Sequence, residues 1–252
     1  MQRLFGSGIL WGTPLQDANG NAITNGTPVQ FGTLQDVSLD ISFDTKMLYG
    51  QNQFPVDVGR GKGKVTGKAK VASLNGLLVN TLLFGQTQTA GLNGTVYDTT
   101  GALIPTTPYQ ITPTVPSSGT WATDLGVRDA NGNQMVKVAS GPATGQYSVA
   151  SGVYTFAAAD TGKTVFLDYT YTATSTSANK STVLSLPMGY APTFSADILV
   201  SRNGLQFTVH LFQCIASKLS IATKQDDFAV PDFDFEAFAN GSGQILTIGL
   251  GA

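Results

Sequence analysis

His210 and Cys214 are the sole histidine and the sole cysteine of this 252-residue chain. Together they are the first candidates for a thiolate–imidazole pair, in which the imidazole takes the thiol proton and leaves a nucleophile. Both fall on one predicted strand, four residues apart. That spacing puts them on the same face, roughly 13 Å apart along it. The distance is too long for direct activation, so structural roles are expected for both. Zinc needs a closed set of N, S or O ligands, and no His/Cys set of that size exists here. Asp226, Asp227, Asp232, Asp234 and Glu236 form the densest acidic group. Carboxylates of this kind suit calcium, but the spacing is not that of an EF-hand loop. Phe233 and Phe235 alternate with the acids, which predicts a wet acidic strand face. Gly59-Arg60-Gly61-Lys62-Gly63-Lys64 superficially suggests a phosphate loop. It lacks the Lys-Ser/Thr ending and leads into a strand where a helix is needed. Glycoside hydrolysis needs a pair of carboxylates with one in an apolar pocket, and nothing in the sequence points to such a pair. No catalytic, cofactor-binding or metal-binding residue is assigned, no cofactor is expected, and the chain is read as a non-enzyme.

The elements around these residues are mostly strands. Val37, Leu39, Ile41 and Phe43 alternate with Asp36, Ser38, Asp40, Ser42 and Asp44, a period of two. A Gly-rich loop is predicted over Tyr49–Gly61. The chain then returns as Lys62–Val71, with Lys62, Lys64, Thr66, Lys68 and Lys70 on one face and Gly63, Val65, Gly67, Ala69 and Val71 on the other. The Asp residues of the first strand and the Lys residues of the second are spaced to pair across an antiparallel ladder. Leu74, Leu77, Leu78, Thr81 and Leu82 recur at helical spacing, predicting a helix over Ser73–Phe84 with Ser73 as N-cap and Gly85 as its stop. Nearer the C-terminus, Phe194, Ala196, Ile198 and Val200 run to the turn Asn203-Gly204. Leu205, Phe207, Val209 and Leu211 run back.

Asn-Gly dipeptides punctuate the rest at residues 19, 25, 93, 131 and 240. Asp17–Asn21 and Asp129–Asn133 are the same pentapeptide, DANGN, read as reuse of one hairpin tip. Gly85 to Pro116 shows no clear period and is expected to be a long connection or a set of short strands. Alternation resumes between Trp121 and Thr174, and Ala173–Ser181 is a polar break. Residues 91–182 are therefore either an elaboration of one domain spanning 1–252 or a subdomain of their own.

Charged residues are 12% of the chain, about half the roughly 25% usual for globular domains. The polar surface is then mostly Ser, Thr, Asn, Gln and Gly, which is cheap to desolvate against copies of itself. The net charge of −2 leaves no basic patch of the size that nucleic-acid affinity needs. A lone cysteine suits a reducing compartment. Met1–Leu10 has too short an apolar run for a secretory signal, and no stretch reaches bilayer-spanning length.

Several blocks resemble the major tail tube protein of long-tailed bacteriophages. They are Phe31–Ser38, Lys46–Gln51 with Phe54-Pro55, Gly59–Lys70 and Leu82–Gly85. Lys218–Ser220, Lys224–Phe228 and Pro231–Phe238 continue the likeness. Gly145–Tyr171 resembles a segment common in such virion proteins. The blocks cover about half the chain and keep the family's order.

The resemblance implies a mainly β fold: a β-sandwich or partly closed β-barrel with one packed helix, whose inner sheets fuse into a shared barrel when hexameric rings form and stack. It implies a virion structural protein, built in the host cytoplasm, that conducts DNA at ejection. Its partners would be copies of itself, the tape-measure, baseplate or tip, and terminator proteins, and passing DNA without specific binding, with no membrane. On this reading Lys46, Tyr49, Gln51, Phe54, Val56 and Arg60 belong to a loop contacting the next ring. Asp36, Asp40, Asp44, Lys62, Lys64, Lys68 and Lys70 face the lumen. Two alternatives stay open. One is a carbohydrate-binding or glycan-degrading sandwich, with Trp11, Trp121, Tyr169 and Tyr171 stacking on sugars. The other is a neck or decoration protein of the same virion.

Overall fold

The computed structural model describes residues 5–73, 76–86, 88–175 and 178–251. It is mainly β and forms two compact units, one from Met1–Gln88 with Ser181–Ala252 and the other from Thr89–Lys180. The first unit opens with β1 (Ile9–Gln16), β2 (Val29–Gln30), β3 (Leu34–Tyr49) and β4 (Pro55–Val71), then α1 (Gly76–Leu78), which widens into a π-type turn over Val79–Phe84. The second unit holds β5 (Thr89–Ala90), β6 (Leu92–Val96), β7 (Ala102–Leu103), β8 (Gln110–Ile111), β9 (Thr120–Asp129), β10 (Val136–Lys137), β11 (Gln146–Ala150), β12 (Val153–Phe156), β13 (Thr164–Ala173) and β14 (Asn179–Lys180). The chain returns to the first unit as β15 (Thr193–Arg202), β16 (Leu205–Ser220), β17 (Asp232–Ala237) and β18 (Leu246–Leu250).

The first unit is one sheet, ordered β2-β1-β15-β16-β17-β4-β3, with β18 also on β16. Its strands follow the alternation in the sequence. Phe194, Ala196 and Ile198 of β15, Val209 and Leu211 of β16, Phe233 and Phe235 of β17, and Val65, Ala69 and Val71 of β4 are buried. Leu78 and Leu82 from the helical segment close over this face, with Leu10 and Phe31. Phe233 lies edge-on to Phe31, ring centroids 5.1 Å apart. Gly67 lets the Phe235 ring cross β4, since a Cβ there would sit 2.1 Å from Phe235 Cζ. The β15–β16 hairpin turns at Asn203 (φ 51°) and Gly204 (φ 81°), the positive-φ pair that an Asn-Gly hairpin tip requires.

Two expectations are corrected. The loop predicted over Tyr49–Gly61 is mostly strand. β3 continues to Tyr49, β4 starts at Pro55, and Lys46 pairs with Gly59, Met47 with Val58 and Leu48 with Asp57. The glycines serve packing and bulging rather than looseness: a Cβ on Gly63 would meet the Phe43 ring at 2.9 Å, and the ladder shifts between Phe43 and Thr45. The helix is also shorter in its described part, and Leu74 lies outside the described residues. The π-type turn rotates the inward face, so Leu77 stays 42% exposed while Asn80 is buried beside Leu78 and Leu82. Gly85 ends the segment in the left-handed region (φ 59°).

The second unit packs two sheets on one core. β10-β11-β12-β8 supplies Tyr147, Tyr154 and Phe156. β13, flanked by β6 and β7 on one edge and β9 on the other, supplies Val165, Leu167, Tyr169 and Tyr171. The aperiodic stretch from Gly85 to Pro116 resolves into β5 to β8. Both DANGN copies fold alike: Asp17 Oδ1 accepts from the Asn19 and Asn21 amides, and Asp129 Oδ1 from those of Asn131 and Asn133.

Candidate functional site

Two surfaces stand out among the described residues. The first is an arm. β4 pairs with β17 only as far as Val65, opposite Ala237; the residues from Lys64 back to Pro55 pair with β3 alone. At about 3.3 Å per residue this two-stranded arm runs about 30 Å. Its apolar side chains are in solvent: Met47 is 52% exposed, Tyr49 58%, Phe54 80% and Val56 65%. Leu48 and Val58 are exposed too. Arg60 lies over the Phe43 ring, 4.6 Å from its centroid. Exposed apolar residues in this number on one projection mark a contact surface. Lys46, Tyr49, Gln51, Phe54, Val56 and Arg60 all fall on the arm or its tip. Met47, Leu48 and Val58 were missed by sequence reasoning, because these residues were read as loop and lie in the part of the β3–β4 ladder beyond residue 45.

The second surface is the polar face of the sheet. Asp36 sits opposite Lys70, which is opposite Asp232 on its other side; Ser38, Lys68 and Asp234 form the next row, and Asp40, Thr66 and Glu236 the third. Ser42 faces Lys64. Asp44 and Lys62 lie in the ladder shift between Phe43 and Thr45. Asp36, Asp40, Asp44, Lys62, Lys64, Lys68 and Lys70 are all exposed. Lys64 Nζ reaches Glu236 Oε1 at 2.9 Å. Lys218 of β16 faces Asp234 from the far side. Lys70 is thus bracketed by carboxylates on both neighbouring strands, and Lys68 and Lys64 each meet one on β17, a pattern the two-strand ladder in the sequence only half disclosed.

The chemistry-bearing residues are held apart. Ala196 pairs with Leu211 and Phe194 with Cys214, so β16 carries an extra residue between them. That bulge flips the side-chain parity. Cys214 is buried in the core, whereas His210 is half-exposed with Nδ1 2.6 Å from Asp197 Oδ1. The two do not share a face, which corrects the reading of the unbroken strand. Burial pushes the Cys214 thiol up to about 12, so at pH 8 it is protonated as well as inaccessible. We expect no reaction with Ellman's reagent in the native protein and one full equivalent in denaturant; rapid native reaction would contradict this burial. Among the described residues no three His, Cys, Asp or Glu side chains converge on a metal site.

Buried charges in the second unit are structural. Asp124 accepts from the Tyr147 hydroxyl at 2.8 Å, the Tyr154 hydroxyl at 3.2 Å and the Gly126 amide at 3.1 Å, with Lys137 Nζ at 3.0 Å. Burial, chiefly, raises the titration of both tyrosines above the usual phenol range. Arg128 donates to both oxygens of Asp168, at 2.9 and 3.1 Å, and lies over the Tyr97 ring. The aromatic residues named for sugar stacking are mostly committed elsewhere. Tyr169 and Tyr171 are in the core, and Trp121 donates to the Tyr154 hydroxyl at 3.3 Å.

No protein-family model and no curated protein matches the chain. Among the described residues no helix is long and apolar enough to cross a membrane.

Proposed function

We propose that the chain is a structural subunit that assembles with itself, without enzymatic turnover, into the tail tube of a long-tailed bacteriophage. The observation that carries the reading is the arm. A 30 Å projection with Tyr49, Phe54 and Val56 in solvent is costly for a monomer and useful to a polymer. The sheet supports the same reading. It is open, with β3 at one edge and the short β2 at the other, and closing copies into a hexameric ring would remove both edges. Sheets joined in this way would form one barrel around a lumen. The arm would reach the adjacent ring, and the lysines of the polar face would line a wall past which DNA slides. Tape-measure, tip and terminator proteins would cap such a tube in the virion.

Negative-stain images of the purified protein, taken over a range of concentrations, test this. Stacked rings or tubes with an open lumen are expected. Monomers at every concentration, together with hydrolysis of a glycan substrate, would replace the proposal with the sugar-active sandwich.

A further inference from the structure

The sheet of the first unit is split at one end. β17 and β18 occupy the same lane beside β16: Cys214 pairs with Ala237, and Leu211 with Leu246. Phe238 and Ile245 still bond to β16, at Gln213 and Phe212, and the chain leaves the lane between them, over residues 239–244. β4 follows β17 up to Val65 and pairs with β3 alone beyond it. The gap between β4 and β18 is an open notch of about 800 Å³ lined by Ile41, Phe43, Phe212, Phe238 and Ile245, with Lys64 at its wall. Phe43 is 50% exposed, so an apolar hole opens to solvent. Its rim carries Arg60, which lies over the Phe43 ring, while Lys64 is already paired with Glu236 at 2.9 Å.

The opposite end of the same sheet carries a knob of complementary chemistry. The chain from β16 to β17 passes through Lys224-Gln225-Asp226-Asp227-Phe228, outside any strand and exposed. Phe228 is 88% exposed, next to two carboxylates. Asp227 accepts from the Phe228 amide at 2.8 Å and meets Lys224 at 3.8 Å between two exposed side chains, a pairing of little strength. This loop leaves β17 at Asp232, opposite Lys70, whereas the notch starts at Ala237, opposite Val65. The two levels are roughly 17 Å apart along β17, and none of Lys224–Phe228 lines the notch. The knob is therefore out of reach of its own notch.

We propose that Phe228 of one copy seats in the notch of a second copy, with Asp226 and Asp227 facing Arg60. An aromatic anchor in an apolar pocket with a charged rim is the usual form of a binding hot spot. Knob and notch at opposite ends make the contact heterologous, so repetition builds a ring or an open stack rather than a closed dimer. The inference rests on the self-assembly reading and names one contact within it.

The test uses two variants of the full chain. The knob variant carries Asp226→Lys, Asp227→Lys and Phe228→Ala. The notch variant carries Phe238→Asp and Ile245→Asp. All these residues are exposed, and circular dichroism and melting confirm that each variant is folded. Light scattering should show each alone losing at least tenfold in polymer. An equimolar mixture should give a discrete dimer, because it holds one intact knob and one intact notch per pair. In the chain carrying Phe228→Cys and Phe43→Cys, oxidation should produce intermolecular ladders, with buried Cys214 silent. Variants that polymerise like the wild type overturn this contact alone. So does a mixture that stays monomeric. Loss of binding to a different protein, with self-assembly intact, assigns the notch to that protein and overturns the proposal. A wild-type chain that never assembles overturns both the contact and the self-assembly reading.

Discussion

Replacing Lys46–Gly59 by an Asn-Gly turn between Thr45 and Arg60 should give a folded monomer that no longer builds tubes. Thr45 and Arg60 are paired in the ladder, so a two-residue turn closes the shortened hairpin in register. The deleted residues make no ladder outside the arm, and the core that holds β3 and β4, from Leu34 to Val71, is untouched. Melting temperature should therefore change little. Assembly should change completely. Phe54 alone, exposed now, would contribute roughly 1.5–3 kcal/mol when buried, and Tyr49, Val56 and Met47 add to it. Summed around a hexamer, that decides whether one ring holds the next. Phe54→Asp should reproduce much of the effect with a single side chain. Sedimentation separates the outcomes: tubes of normal length from the truncated chain would remove the arm from the contact.

The strand pattern was legible because side-chain period survives in these residues. Phe194 to Ile198, Phe207 to Leu211 and Val65 to Val71 alternate in sequence and are buried in alternation. The arm was misjudged where glycine was taken as a sign of a loop. Gly61 and Gly63 stand beside larger residues, Asp44 and Phe43, and leave them room, whereas Gly59 borders open space. Propensity counted the glycines against a strand, while the long ladder to β3 held one. The error over His210 and Cys214 had a different source. A bulge adds one residue to one strand, and nothing local in His210–Cys214 announces it; the register with Phe194 and Ala196 does. The helix erred in the same way, since a π-type turn changes which residues face inward without changing composition. The third row of charges was invisible for a topological reason. β17 lies next to β4 although some 160 residues separate them in the chain, so the acids at 232, 234 and 236 could be read as a face but not as partners of Lys64, Lys68 and Lys70.

Those partners carry the second large effect. Duplex DNA presents one charge per about 1.7 Å of axis, and lysines that neutralise phosphates bind it through counterion release. On the polar face Lys70 lies between Asp36 and Asp232, Lys68 stands opposite Asp234, and Lys64 is held by Glu236 at 2.9 Å. Each lysine thus has a carboxylate competing with any phosphate. Converting Asp36, Asp40, Asp232 and Asp234 to Asn, and Glu236 to Gln, removes the competitors and leaves the lysines in place. The changes are at exposed or half-exposed positions, so the fold should persist. The variant should bind duplex fragments that the wild type ignores. Its log affinity should fall with log salt by about 0.9 for each phosphate neutralised, so the slope counts the lysines released. Fluorescence anisotropy across a salt series reads both quantities. Strong DNA binding by the wild type would mean that the carboxylates do not balance the lysines. No gain in the variant would mean that this face does not meet DNA, and the Asp–Lys rows would then serve strand register alone.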